Sequence, residues 1–189
     1  MSADSAKRLR ADAQHNHDRL LAVAADAFTR EGAGASLRSI AQEAGVGIGT
    51  LYRRFPTREA LVEAVYRNEV TGLCAAAAEL LAQAPPVDAL RSWMERFVDF
   101  MDAKRGMADA LRGVLASDDD RMHTRGLLRD ALGELLEAGV GEGTVSPGPD
   151  PYDVLMALGG VTLIVESRDS ALRLVDLLIN GLRSRTASG

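Results

Sequence analysis

Arg38, Tyr52, Arg53, Arg54 and Arg58 fall within a stretch of 21 residues that contains one acid, Glu43. Guanidinium groups and a phenol at this density are suited to holding anions rather than to breaking bonds. From Ser36 to Arg58 the chain carries a net charge of +3, whereas from Leu61 onward 13 basic residues face 20 acidic ones. A basic island on an acidic body implies a local anion-binding surface, nucleic acid included. Ordinary solvated surface charge is the competing reading, and charge alone favours it.

Side chains capable of covalent or metal chemistry show no comparable grouping. His123 and Cys74 have no motif around them, so no nucleophile–base constellation supports an enzyme. His15 and His17 are two apart and would point in different directions on a helix, so no metal site is expected. The acids of "SDDD" at 117–120 suit the first turn of a helix capped by Ser117, where they favour the macrodipole. No cofactor is implied. A single cysteine excludes an intrachain disulfide and fits a reducing, cytoplasmic compartment. The sequence has no apolar run of about 18 residues, so no membrane partner is expected, and the first residues lack a signal-peptide core.

The elements that would position the arginines are helices. Alanine and leucine dominate, aromatics are scarce, and no strand pair or internal repeat is evident. Leu20, Leu21, Val23, Ala24, Ala27 and Phe28 recur at helical spacing over Asp18–Glu31. Ser36 can cap a short second helix that buries Leu37, Ile40, Ala41 and Ala44 and ends at Gly45. A third helix spans Ile48–Phe55 and stops before Pro56. Thr57 caps a fourth, ended by Pro85 and Pro86. The glycines in "GVGIG" suit a helix-turn-helix: Gly45 adopts a left-handed conformation, Gly47 precedes the third helix, and Gly49 lets the backbone of its first turn approach a partner closely. Leu51 and Phe55 face inward. Longer helices follow, and their periodicity makes the whole chain all-α.

The stretch "SLRSIAQEAGVGIGTLYRRFPTREALVEAVY", with "LLAVAADAFTREGAGAS" before it, resembles the DNA-binding region of the tetracycline-repressor (TetR) family of bacterial transcriptional regulators. The resemblance covers about residues 15 to 67 and implies an N-terminal three-helix helix-turn-helix domain joined to a C-terminal helical ligand-binding and dimerisation domain. The expected division is 1–60, with a flexible N-terminal arm carrying Lys7, Arg8 and Arg10, and 61–189. By resemblance, Arg38 reaches DNA from the second helix. Gly47, Ile48, Gly49 and Thr50 open the reading helix. Tyr52 binds a phosphate, Arg53 and Arg54 contact bases or backbone, and Arg58 binds a phosphate near the start of the fourth helix.

The same resemblance implies a homodimer that binds double-stranded DNA as a repressor and is released by a small-molecule effector. Trp93, Phe97, Phe100, Met101 and Met107 are the candidates to line the effector cavity, against plain core as the alternative. Leu155, Leu158, Val161, Val175, Leu178, Ile179 and Leu182, on the last two helices, are the candidates for the subunit seam. A helical protein–protein module without DNA binding is the alternative function, and its reading helix would be degraded.

Overall fold

The computed structural model describes residues 3–114 and 118–184, and the side chains of 3–13, 33, 113, 114 and 118 lie outside the description. Among the described residues the regular structure is helical, with one isolated bridge between Val145 and Arg183. Two compact units form: residues 1–68 with 103–116, and 69–102 with 117–189.

The first unit holds α1 (Ala3–Glu31), a 3-10 turn (Gly32–Gly34), α2 (Leu37–Glu43), α3 (Ile48–Arg54), the first part of α4 (Arg58–Leu81) and α6 (Ala108–Val114). The helix α1 begins fifteen residues before the expected Asp18 and continues through the N-terminal arm back to Ala3. Alanine, lysine, arginine, leucine and glutamine make up nine of the fifteen residues of this extension, and all are strong helix formers. It lacks the apolar repeat by which helices are recognised in sequence. The side chains of Lys7, Arg8 and Arg10 lie outside the described residues.

Leu20, Ala24 and Phe28 of α1, Ile40 and Ala41 of α2, Leu51 of α3 and Leu61, Val62 and Val65 of α4 form the core of this unit, each at most 3% exposed. Burying a side chain of this size is worth roughly 1.5–3 kcal/mol. The corner that closes α5 presses on α1: a Cβ at Gly106 would stand 2.1 Å from the carbonyl oxygen of Phe28. No side chain fits at that distance.

The second unit comprises the rest of α4, most of α5 (Pro86–Gly106), α7 (Asp118–Gly141), α8 (Pro151–Ile164) and α9 (Arg168–Leu182). Pro86 occupies the first position of α5, where its missing N–H costs nothing. Trp93 is fully buried, and its indole N–H donates to the carbonyl of Leu73 at 2.8 Å. Leu90, Met94, Leu132, Leu135, Leu158 and Val175 pack in the same core. At the surface Arg168 grips Asp99 with two hydrogen bonds, at 2.6 and 3.1 Å, and Arg91 pairs with Asp176. The segment after α7 is tied to the end of α9: Ser146 N–H donates to Leu182 O at 2.8 Å and Ser184 N–H to Thr144 O at 3.1 Å. Asp150 and Ser167 cap α8 and α9 through their side chains. The cap expected at Ser117 lies outside the described residues. Among the described residues no helix is long and apolar enough to cross a membrane.

Candidate nucleic-acid interface

Short helices must be fixed at both ends to hold a side chain in place, because seven residues make few internal hydrogen bonds. Ser36 accepts the N–H of Ser39 at 3.4 Å and starts α2. At its other end Gly45 takes φ +67°, and two reversed hydrogen bonds close the helix: Gly45 N–H to Gln42 O at 3.0 Å and Val46 N–H to Ala41 O at 2.9 Å. This Schellman closure needs a left-handed residue, which glycine supplies without strain. The chain then turns through Gly47, the N-cap of α3, and Leu51 and Phe55 pin α3 to the core at 0% and 7% exposure. On the outside, Glu43 at the end of α2 pairs with Arg30 of α1 at 3.3 Å; such an exposed pair contributes at most about 1 kcal/mol.

The anchoring of Leu51 and Phe55 leaves the rest of α3 outward. Gly49, Thr50, Tyr52, Arg53 and Arg54 are exposed, Tyr52 by 49%, and Ile48 is half-buried. Arg38 is exposed on α2. Arg53 Nη2 lies 3.5 Å from Thr50 Oγ1, a long contact to a neutral hydroxyl that an anion would displace. A Cβ added at Gly49 would meet nothing within 4 Å. The glycine therefore answers no packing need of the chain itself, as expected for a surface made to approach something else. His17 of α1 stacks on Phe55, with ring centroids 6.0 Å apart, and burial, then the charge of Arg54, hold its pKa below the ordinary 6.5.

Arg58 differs from the other four. It is half-buried and turned inward: Nη1 donates to Ala35 O at 2.6 Å, Nη2 to Gly32 O at 3.3 Å, and the guanidinium lies 5.1 Å from the centroid of the Phe28 ring. The cation expected at a phosphate gives its donors, within the chain itself, to these two carbonyls. Position in a motif specifies where a cation stands along the chain but not which way it points.

Two family models match this chain. One, described as bacterial regulatory proteins of the tetR family, matches residues 20–65, and the other, described as transcriptional regulator SbtR-like, C-terminal domain, matches residues 85–184. The chain belongs to the TetR family of transcriptional regulators. Solved structures agree. A TetR transcriptional regulator from Streptomyces coelicolor is 48% identical, with a TM-score of 0.82 over 89% of this chain and 99% of that one. The TetR transcription regulatory protein from Mycobacterium vanbaalenii is 37% identical, with a TM-score of 0.75 over 93% and 99%. A TetR-family regulator from Thermus thermophilus is 26% identical, with a TM-score of 0.54 over 86% and 97%. No curated protein matches significantly.

The remaining candidates lie within residues 85–184, the stretch matched by the C-terminal domain model. Trp93, Phe97 and Phe100 come together, with successive ring centroids 5.9 and 6.0 Å apart, all at most 4% exposed, and Met101 is half-buried. Met107, the remaining candidate, belongs to the first unit, where it lines a small cavity of about 30 Å³ with Arg58, Gly106 and Asp109.

The seam candidates divide. Leu155, Leu158, Val175 and Ile179 are buried within the chain itself, Leu158 and Val175 completely, so they form core and not an open face. Val161, Leu178 and Leu182 are half-buried. Besides Tyr152 at 39%, the exposed large apolar residues of α8 and α9 are Met156, Leu163, Ile164 and Leu177, at 46%, 71%, 79% and 65%. On α8, which is apolar nearly all round, the repeat does not say which stripe faces out. Beside them an open groove of about 390 Å³ runs along Asp153, Val154, Ala157, Leu177, Leu178 and Gly181.

Proposed function

We propose that this TetR-family regulator is a homodimeric, effector-released repressor whose α3 reads a pseudo-palindromic operator. The observation that carries the reading is α3 itself: pinned inward by Leu51 and Phe55, it presents Thr50, Tyr52, Arg53 and Arg54 together with a glycine that no neighbour approaches. Ile48, without a hydrogen-bonding group, suits a thymine methyl. Tyr52 is placed on a phosphate and Arg38 beside it from α2. We divide the chain into a reading domain, 1–60, and a ligand-binding and dimerisation domain, 61–189. DNA as partner implies the cytoplasm.

The subunit seam is assigned to the outer stripe of α8 and α9. A monomer seldom leaves four large apolar residues of two adjacent helices in water, and such a patch marks an interaction surface. A two-fold interface buries each of them twice. Successive major grooves on one face of DNA lie about 34–36 Å apart, which a dimer with two α3 helices can match. The effector is placed beside Phe97, Phe100 and Met101 in the second unit; Trp93 has already given its N–H to Leu73 and serves the wall. A gel shift on a randomised duplex pool, followed by selection from genomic fragments, tests the reading. Recovery of an inverted repeat with half-sites about 10 base pairs apart is the expected result, and a pool that yields no bound duplex sinks it.

A further inference from the structure

A cation at the first position of an α-helix stands at the wrong end of the macrodipole, where the unpaired N–H groups already repel it. Arg58 occupies that position in α4. Its compensation is local. The turn between α1 and α2 leaves carbonyls without helical partners, and Arg58 donates to two of them, Gly32 O and Ala35 O, while its plane lies over Phe28. Gly32 itself takes φ +59° and its carbonyl also accepts the N–H of Ala35, so the guanidinium closes a turn that bends sharply. Ala35 is followed at once by Ser36, the cap of α2, and Arg38 lies two residues further on.

We propose that Arg58 is a positioning residue for operator binding: it clamps the 32–35 turn from beneath, sets where α2 begins, and so places Arg38 at the DNA without touching phosphate itself. The proposal rests on reading this unit as the operator-binding head, and goes beyond it by giving one of the head's cations a task inside the protein.

Lysine and glutamine separate the clamp from a phosphate contact. Lysine keeps the charge, which suffices for a phosphate, but has no planar fork to span two carbonyls and stack on a ring. Glutamine keeps donors and loses the charge. Operator affinity of the full-length protein is measured against salt concentration for wild type, Arg58→Lys and Arg58→Gln, and amide hydrogen exchange is followed without DNA. Both variants are expected to bind about tenfold more weakly, the factor carried by one charge-assisted hydrogen bond. The salt slope stays that of wild type, because no phosphate contact is removed. Exchange rises at Ser39 and Ile40, whose amides depend on Ser36, and stays unchanged in α9.

Wild-type affinity in Arg58→Lys, with Arg58→Gln weakened and its slope reduced by about one per half-site, overturns the proposal in favour of a phosphate contact. Unchanged exchange at Ser39 and Ile40 also overturns it. Should Arg58→Gln fail to fold, Arg58→Lys carries both readouts. A wild-type protein that binds no duplex refutes the reading of the head, and the exchange comparison still decides whether the clamp exists.

Discussion

Gly49→Val is expected to move stability and operator binding in opposite directions. In the free protein a Cβ at this position meets nothing within 4 Å, and the backbone is ordinary helix. Valine replaces the poorest non-proline helix former, so the folded state gains about 0.3–0.5 kcal/mol. For a chain of this length the melting temperature then holds or rises by about 1 °C. On DNA the branched side chain must fit between the first turn of α3 and the groove. Overfilling a close contact costs on the order of 1–3 kcal/mol, and a dimer incurs it at two half-sites, so binding falls by about 30-fold or more. Thermal melting and fluorescence anisotropy on a labelled operator measure the two effects. Undiminished affinity would refute the close approach of this helix to DNA. A melting temperature lowered by several degrees would show instead that the glycine serves the protein's own packing.

Leu163→Glu and Leu177→Glu should give folded monomers by sedimentation and weak operator binding, since both residues are exposed; Leu158→Ala, fully buried, should instead lose about 2–5 kcal/mol of stability. Dimers that survive either glutamate would move the seam off this stripe. Gly106→Ala should lower the melting temperature, because a Cβ 2.1 Å from Phe28 O forces the backbone apart; an unchanged melt would refute the contact. His17 has a folded pKa below its unfolded value of about 6.5, so the contribution it makes as a neutral group is complete above that pH and is lost as pH falls through the folded value. The acid limb of a stability–pH curve should therefore flatten in His17→Gln. Burial first, then Asp130 and Glu134, raise the Cys74 thiol above its ordinary range, so alkylation near pH 8 should lag behind that of a free thiol.

How far the sequence discloses this molecule depends on whether a feature is local. The left-handed turn at Gly45, the caps at Ser36 and Thr57 and the stop before Pro56 follow from a residue's own backbone chemistry, and all are found where expected. The direction of Arg58 is not local, since its acceptors lie more than 20 residues upstream. The helical extension to Ala3 escaped because it rests on propensity without an apolar repeat. On α8, Leu158 and Leu163 are equally apolar, and only the packed neighbours make one core and the other surface. Gly106 carried no signal at all: a glycine needed for the approach of a distant carbonyl looks like any other.

The division of the first unit into two stretches of chain has a consequence for its synthesis and for its exchange between relatives. Residues 1–68 emerge from the ribosome before 103–116 do, so the head appears with the carbonyl of Phe28 and the flank of Val62 uncovered, and the last piece of its wall arrives with the α5–α6 corner. A graft of the N-terminal segment alone onto another regulator would set these residues against a foreign corner, one that need not carry glycine at the point of contact. Transplanting the specificity of this head therefore means moving two pieces of gene together, the second of them inside what looks like the other domain.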